Sequence, residues 1–157
     1  MEAKIELIKE NDIADIENVI ARAARQTMAI FYPDCSVEYV IETLSGQNLI
    51  DRINETHFYI VKLDDKVIGC GAIGPYCDSE TESSLFNIFI DPDSQGKGFG
   101  KQLVRVLEND EYGKRAKRIE IPASITGIPF YRRLGYKFKN NELIYEDGHF
   151  KMEKYMK

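Results

Sequence analysis

A glycine-rich turn between two regular segments constrains this chain more than any other feature. The stretch IFIDPDSQGKGFGKQLV, residues 88–104, begins apolar, passes through three alternating glycines and continues with apolar residues at helical spacing. The glycines are Gly96, Gly98 and Gly100. This order predicts a buried strand, a tight turn and an amphipathic helix from about residue 98 to residue 109.

The turn is predicted to bind an anion. Backbone N–H groups at the start of a helix have no partners within the helix, and glycines let a phosphate approach them closely. The segment 95–118 carries seven Lys or Arg and three acidic residues, whereas the whole chain has a net charge of −5. A cationic segment on an acidic protein favours a small phosphorylated ligand over nucleic acid or a membrane surface.

Two familiar nucleotide motifs do not match the spacing of this turn. The dinucleotide fingerprint requires a glycine at position 101, where Lys101 stands. The mononucleotide P-loop requires Ser or Thr after Gly-Lys, where Gln102 stands. The ligand is therefore expected to be a different phosphate compound.

Length and composition predict one ordinary folded domain over residues 1–157. Hydrophobic residues make up 43% of the chain, and no uncharged stretch has the length of a membrane span. The three cysteines are widely spaced and odd in number, which favours free thiols and a cytoplasmic location. The two histidines, His57 and His149, show no spacing typical of a metal site, so no metal is expected.

The hydrophobic pattern predicts the element order β-α-α-β-β-β-α-β-α-β-β, with a further helical turn or two near residues 49–53. Strands are expected at 57–63, 66–73 and 84–90, and a closing hairpin pairs residues 136–145 with 149–155. Gly69 and Gly71 suggest a bulge or a close backbone approach. This order indicates an α/β (α+β) sheet with helices on both faces and at least one parallel strand-helix-strand unit.

Two segments together resemble the GNAT superfamily of N-acetyltransferases. The glycine-rich stretch is similar to the family's acyl-CoA-binding motif, and IPASITGIPFYRRLGYK, residues 121–137, is similar to its later motif. The matching residues are Gln95, Gly98 and Gly100 in the first and Phe130, Tyr131, Gly135 and Tyr136 in the second. The resemblance covers about residues 57–140 and implies a mixed, mostly antiparallel twisted sheet of about seven strands.

The resemblance implies where acetyl-CoA binds. The backbone of Phe89 and Ile90 is expected to pair with the pantetheine amides. The turn is expected to hold the pyrophosphate through Gln95, Gly96, Lys97, Gly98, Phe99, Gly100 and Lys101. Ser124 stands where family members often carry Asn, and Gly127 where they carry Ala; Ser124 is the expected pantetheine contact.

The resemblance also implies an acid and a base for acetyl transfer to a primary amine. Tyr131 is the expected acid, since a phenol with a pKa near 10 can protonate a departing thiolate whose pKa is about 8.5. Phe130 and Leu134, four residues apart, are expected to face the core and turn Tyr131 toward the cofactor.

Glu82 is the expected base, with Glu120 as the alternative; Glu120 alternates with Ile119 and Ile121 as an outward-facing strand residue does. No cysteine is needed as an acyl carrier.

Two other functions stay open on the sequence. One is a regulatory module that binds acyl-CoA without turnover, and the other is a domain whose glycine turn holds ATP. The acceptor is not specified by the sequence, although the acidic remainder of the chain favours a positively charged amine such as a polyamine, an aminoglycoside or a lysine side chain. Residues 28–33, the second helix and the closing hairpin are expected to shape its site, and a homodimer is a further possibility.

Overall fold

The computed structural model describes residues 2–157 and contains one eight-stranded sheet. Each strand coincides with an apolar or alternating segment of the sequence. The strands are β1 (Lys4–Leu7), β2 (His57–Leu63), β3 (Lys66–Pro75), β4 (Glu82–Ile90), β5 (Arg118–Ala123), β6 (Lys137–Phe138), β7 (Tyr145–Glu146) and β8 (His149–Tyr155).

Six α-helices connect or cover these strands. They are α1 (Ile13–Ala23), α2 (Asp34–Thr43), α3 (Gly46–Glu55), α4 (Phe99–Glu108), α5 (Glu111–Arg115) and α6 (Ile128–Arg133). A π-helical turn, Ala24–Met28, extends α1 directly. Within residues 2–157, no helix has the length and apolar content needed to cross a bilayer.

The strand order across the sheet is β1-β2-β3-β4-β5-β8-β6, and β7 also pairs with β8. Among the strands of residues 2–157, only β4 and β5 are parallel, and α4 and α5 form the crossover between them. The mixed, mostly antiparallel sheet is thus confirmed, with eight strands where about seven were expected. The additional strand arises because Asn140 and Asn141 have positive φ angles of 54° and 58°, which divides the predicted strand 136–145 into β6 and β7.

Helices cover both faces of the sheet, as predicted. The apolar stripe of α4 packs on one face, around Ile68, Leu85 and Ile119. The stripes of α1 and α3 pack on the other face, around Phe58 and Ile60. Alternate residues along each central strand place apolar side chains on both faces of the sheet. A shift of one residue would exchange the two faces, so this alternation fixes the strand register.

A β-bulge interrupts the pairing of β3 with β4. Cys70 pairs with Phe89 and Ala72 pairs with Phe86, so β4 contains one extra residue at this point. Asn87 lies in the bulge with a φ of 54°. The bulge or close approach predicted at Gly69 and Gly71 is confirmed. The pairing of β2 with β3 has a second irregularity beside Gly69, and a Cβ atom on Gly71 would lie only 3.0 Å from the Leu103 side chain.

The two parallel strands separate partway along their length. β4 pairs with β5 only from Glu82 to Ser84, and the last pair joins Ser84 to Glu120. β4 then continues to Ile90 and β5 to Ala123 without pairing to each other. The sheet therefore contains an opening, and its two edges carry backbone groups that are free to bind an extended ligand.

Candidate active site

The glycine-rich turn lies at the end of β4, beside the opening. Gly96 and Gly98 have φ angles of 76° and 89°, which only glycine adopts without strain. Throughout the described chain, the backbone N–H groups of residues 96–101 find no hydrogen-bond acceptor; the first bonded amide of α4 is that of Gln102, which donates to Gly98 O at 3.1 Å. A Cβ on Gly96 or Gly98 would meet nothing within 4 Å, so the space above these amides is open.

Side chains of the turn stabilise its shape. Gln95 Nε2 donates to Ile90 O at 2.9 Å and closes the turn against the end of β4. Lys97 Nζ donates to Asp93 O at 3.3 Å. A Cβ on Gly100 would lie 3.0 Å from the Phe130 ring, so this glycine lets α6 pack directly against the start of α4.

An ion pair anchors the turn to α1. Asp91, the first residue after β4, is 1% exposed. Arg22 Nη1 lies 2.7 Å from Asp91 Oδ1, and Arg22 Nη2 lies 3.1 Å from Asp93 Oδ2. Neither carboxylate oxygen of Asp91 has a hydrogen-bond partner among residues 2–157, so the negative charge of this side chain depends on the Arg22 ion pair for compensation.

The cationic character of this region is more local than the sequence indicated. Lys97 and Lys101 lie on the turn, but residues 114–117 lie beyond the far end of the ten-residue α4, about 15 Å away at a rise of about 1.5 Å per residue. Arg118 is buried in β5 and does not contribute to the surface. The free amides and the helix N-terminus therefore supply most of the attraction for an anion.

Tyr131 lies on α6, which flanks the opening. It is more deeply buried than Phe130 and Leu134, so its expected turn away from the core is not observed. Its ring packs against Phe130 at a centroid distance of 5.0 Å and against Tyr136 at 6.0 Å. The hydroxyl forms no hydrogen bond with another described residue, and burial raises the pKa of Tyr131, so the phenol keeps its proton at neutral pH.

Ser124 and Gly127 lie next to this ring. Ser124 Oγ is 3.0 Å from Thr126 Oγ1. A Cβ on Gly127 would lie 3.1 Å from Tyr131 Cε2 and 3.4 Å from Ser124 Oγ. The absence of a side chain at position 127 thus leaves room for the Tyr131 ring beside Ser124.

The two candidate bases belong to one charge cluster around the buried Arg118; Glu120 is buried and Glu82 is partly exposed. The Arg118 guanidinium donates to Glu82, Glu120 and Glu153 at 2.9, 2.9 and 3.2 Å. Lys139 Nζ lies 2.7 Å from Glu120 Oε1. The hydrogen bond from Arg118 lowers the pKa of Glu82, which keeps this carboxyl ionised.

Glu120 is buried, contrary to the expectation that its alternation with Ile119 and Ile121 turns it outward to solvent. Its side chain does lie on the opposite face of β5 from these two residues, but Arg118 and Lys139 cover it. Neither contact involves Glu120 Oε2. A carboxylate held in this way keeps one oxygen for another partner.

A cavity of about 290 Å³ lies where β4 and β5 separate. Ser84 and Glu120, the last paired residues of the two strands, belong to its wall, together with Phe86. The β7–β8 hairpin closes the other side with Glu146, Asp147, His149 and Lys151. Glu82 is absent from the wall, so Glu120 is the candidate base that faces this cavity.

One phenol connects three segments around the opening. Tyr32 Oη donates to Gly148 O at 2.7 Å and accepts from Ile125 N at 3.1 Å. It thereby joins the chain after α1 to the β7–β8 hairpin and to the turn that precedes α6. From the sequence, Tyr32 was expected only as one of residues 28–33 around the acceptor, and Arg118 only as one cation of the segment 95–118. The connecting role of Tyr32 and the charge cluster of Arg118 were not predicted; for Arg118, the alternation of charged and apolar residues in RIEI was the available signal.

These features are those of an acyl-CoA-dependent acyltransferase: a split parallel strand pair, free amides at a helix start beside it, and a cavity at the split. A family model described as the acetyltransferase (GNAT) domain matches residues 54–138, more than half of the chain. The chain therefore belongs to the GNAT acetyltransferase family. Among curated proteins, none matches its sequence.

Solved structures share the fold over almost the whole chain. PaiA N-acetyltransferase from Thermoplasma acidophilum in complex with coenzyme A has a TM-score of 0.86 at 20% identity, covering 99% of this chain and 100% of that one. A GNAT acetyltransferase from Brucella melitensis in complex with acetyl-CoA has a TM-score of 0.63 at 21% identity, covering 87% and 83%. N-acetylglutamate synthase from Neisseria gonorrhoeae has a TM-score of 0.69 at 18% identity, covering 99% of this chain and 35% of that one.

Proposed function

We propose that this protein is an acetyl-CoA-dependent N-acetyltransferase that transfers the acetyl group directly to a primary amine. The observation that carries the proposal is the open turn, whose amides at residues 96–101 are free to bind an anion beside the opening between β4 and β5. The cavity at the start of the opening supplies a separate site for the amine. Acetyl-CoA, when bound, supplies the acetyl thioester.

The binding residues act mainly through their backbone. The free amides from Gly96 to Lys101 hold the pyrophosphate, with Lys97 and Lys101 adding positive charge. The unpaired edge of β4 at Phe89 and Ile90 binds the pantetheine amides, as a neighbouring strand does. Gln95 stabilises the turn, and Ser124 contributes a hydroxyl from the opposite side.

Tyr131 is the proposed acid. Its ring is buried, its hydroxyl is protonated and has no hydrogen-bond partner among residues 2–157, and it lies on the helix that flanks the opening. In the transfer, the amine nitrogen forms a bond to the acetyl carbon, the carbon–sulfur bond breaks, and Tyr131 donates its proton to the sulfur. The raised pKa of the phenol disfavours tyrosinate, so Tyr131 takes up a proton from solvent once the thiol dissociates, while the carboxylate base releases to solvent the proton that it took from the amine.

The base is one of two carboxylates, Glu82 or Glu120. Each accepts a hydrogen bond from Arg118. For Glu82 this bond lowers the pKa, which favours the ionised form but also reduces the basicity of that carboxylate. Glu120 lies in the cavity wall, which favours direct contact with the amine; Glu82 would act through a water molecule. Either carboxylate removes the proton that the amine nitrogen loses as it binds the acetyl carbon.

Release of free CoA thiol from acetyl-CoA in the presence of a panel of primary amines tests the activity. We expect Tyr131→Phe to lower kcat by about 10²-fold or more, as loss of a general acid does. Tyr155→Phe, a change at an exposed position, is the control and should leave kcat unchanged. Glu120→Gln and Glu82→Gln identify the base, since only the variant that lacks it loses about 10²–10⁴-fold. Full activity in both Gln variants would contradict this assignment.

Calorimetry separates the proposed enzyme from its two rivals. CoA binding without thiol release above the Tyr131→Phe background would favour a regulatory acyl-CoA-binding module. Stronger thermal stabilisation by ATP than by CoA would favour a nucleotide-binding domain. We also propose a cytoplasmic location, which the free cysteines Cys35, Cys70 and Cys77 support.

A further inference from the structure

A second cavity adjoins the first one. It has a volume of about 460 Å³ and lies between residues 28–33, α2 and the β7–β8 hairpin. Asp147 and His149 line both cavities, so these two residues form a shared wall. The two cavities are therefore neighbours at the β7–β8 hairpin, and one extended molecule that contacts these two residues would reach both.

The two cavities differ in chemistry. The first has three carboxylates in its wall: Glu120, Glu146 and Asp147. The second is lined mainly by apolar and aromatic side chains, and its only carboxylate is the shared Asp147. Its principal apolar residues are Met28, Phe31, Tyr32, Tyr39, Val40 and Tyr145.

Several of the rings in the second cavity are accessible to a ligand. Phe31, Tyr39 and Tyr145 are 54%, 66% and 55% exposed, although each is a large apolar side chain. Burying such rings against an apolar group is favourable, and this cavity offers a second ammonium ion no carboxylate other than the shared Asp147. Burial lowers the pKa of His149, so the shared wall adds no positive charge at neutral pH.

We infer that the acceptor is an amphipathic primary amine, with its amino group in the first cavity and an aromatic or branched aliphatic group in the second. This inference rests on the proposed acetyltransferase function and specifies its substrate class. The ammonium ion is held by Asp147 and Glu120 before it loses its proton, and the apolar group packs on Phe31 and Tyr39. A linear polyamine fits this arrangement less well, because its second charge would lie among the rings.

Calorimetry on the protein saturated with CoA tests the inference without requiring turnover. We expect 2-phenylethylamine to bind about tenfold more tightly than n-propylamine, because only the former buries a ring in the second cavity. Spermidine should bind more weakly than 2-phenylethylamine.

Phe31→Ala and Tyr39→Ala should each weaken 2-phenylethylamine binding by about threefold to tenfold and leave n-propylamine and CoA binding unchanged. Ile30→Ala is the matched control, because Ile30 is 75% exposed, precedes Phe31 and does not line the cavity.

The outcomes separate this inference from the function on which it rests. Equal affinities for 2-phenylethylamine and n-propylamine, tighter binding of spermidine, or no binding of any amine would overturn it. The expected order of affinities without thiol release would refute the acetyltransferase function and leave the two-part acceptor site supported. Thiol release with n-propylamine at the same KM as with 2-phenylethylamine would support the function and refute the substrate class.

Discussion

Tyr32→Phe removes one oxygen atom from the connection between the chain after α1, the β7–β8 hairpin and the turn before α6. The phenylalanine ring retains the packing of Tyr32, which is only 9% exposed, so the change is confined to the hydroxyl. Two hydrogen bonds are lost: the one donated to Gly148 O at 2.7 Å and the one accepted from Ile125 N at 3.1 Å.

The expected cost follows from these two bonds. A hydrogen bond contributes about 0.5–1.5 kcal/mol net, so the free energy of unfolding should fall by about 2 kcal/mol. For a chain of this length, that corresponds to a decrease in Tm of about 4–8 °C. Urea unfolding measured by circular dichroism gives the free energy, and differential scanning fluorimetry gives Tm. Tyr39→Phe is the control, since Tyr39 lines the same cavity but its hydroxyl is exposed and has no partner in residues 2–157.

The same substitution should affect the acceptor and not CoA. The hairpin and the turn before α6 form part of the proposed acceptor site, whereas Gln95 and Arg22 stabilise the proposed CoA-binding turn independently of Tyr32. We expect a severalfold increase in the KM for the amine and an unchanged Kd for CoA. If Tyr32→Phe and Tyr39→Phe agree within about 0.5 kcal/mol in unfolding, the connecting role of Tyr32 is refuted.

Three further predictions concern the turn and the hairpin. Arg22→Met leaves the buried Asp91 carboxylate without a cation, so it should lower the free energy of unfolding by about 1–3 kcal/mol and weaken CoA binding. In urea unfolding, the double variant with Asp91→Asn should regain most of the lost stability. An Arg22→Met variant as stable as the unmodified protein would contradict this prediction. Gly98 has a φ of 89°, so Gly98→Ala should lower the free energy of unfolding by about 1–2 kcal/mol and raise the Kd for CoA. Gly46, which lies away from the site, has a φ of 55°, so Gly46→Ala should lower the free energy of unfolding by a similar amount and leave the Kd for CoA unchanged. Burial lowers the pKa of His149 below its ordinary value of 6.5 in the folded state. The unfolded chain therefore binds a proton first as the pH falls below about 6.5, and the stability of the fold decreases toward acid pH. Between pH 7.5 and pH 5, the Tm of His149→Gln should fall less steeply than that of the unmodified protein. The same slope of Tm against pH in both proteins would contradict this prediction.

The glycine-rich turn, the proposed CoA-binding half of the site, was predictable because its residues lie close together in the sequence. The turn between Gln95 and Lys101 needs only a strand, three glycines and a helix start in succession, so its open amides follow from local backbone geometry. The irregular strand pairing near Gly69 and Gly71 was predictable for the same reason, since it too depends on local backbone geometry. The break of the predicted strand 136–145 at Asn140 was not predicted, although Asn adopts positive φ more readily than most residues.

The acceptor half was not predictable in the same way, because its residues come from distant parts of the chain. Glu120 is separated from Lys139 by 19 positions and from Asp147 by 27, and alternation alone placed it in solvent. Only the pairing of β5 with β8 and the position of Lys139 bury it. Tyr32 similarly reaches a hairpin 116 residues away.

The amino-acid sequence by itself determined the strand–turn–helix unit, the order of most elements and the family that they indicate, since each depends on periodicity and on φ preferences within short windows. The tertiary structure alone decided which carboxylate faces the first cavity, which cation neutralises Asp91 and which rings line the second cavity. The physical reason is that charge compensation and burial depend on distances in space between side chains, and these distances are fixed only when the sheet has assembled with its strands in register.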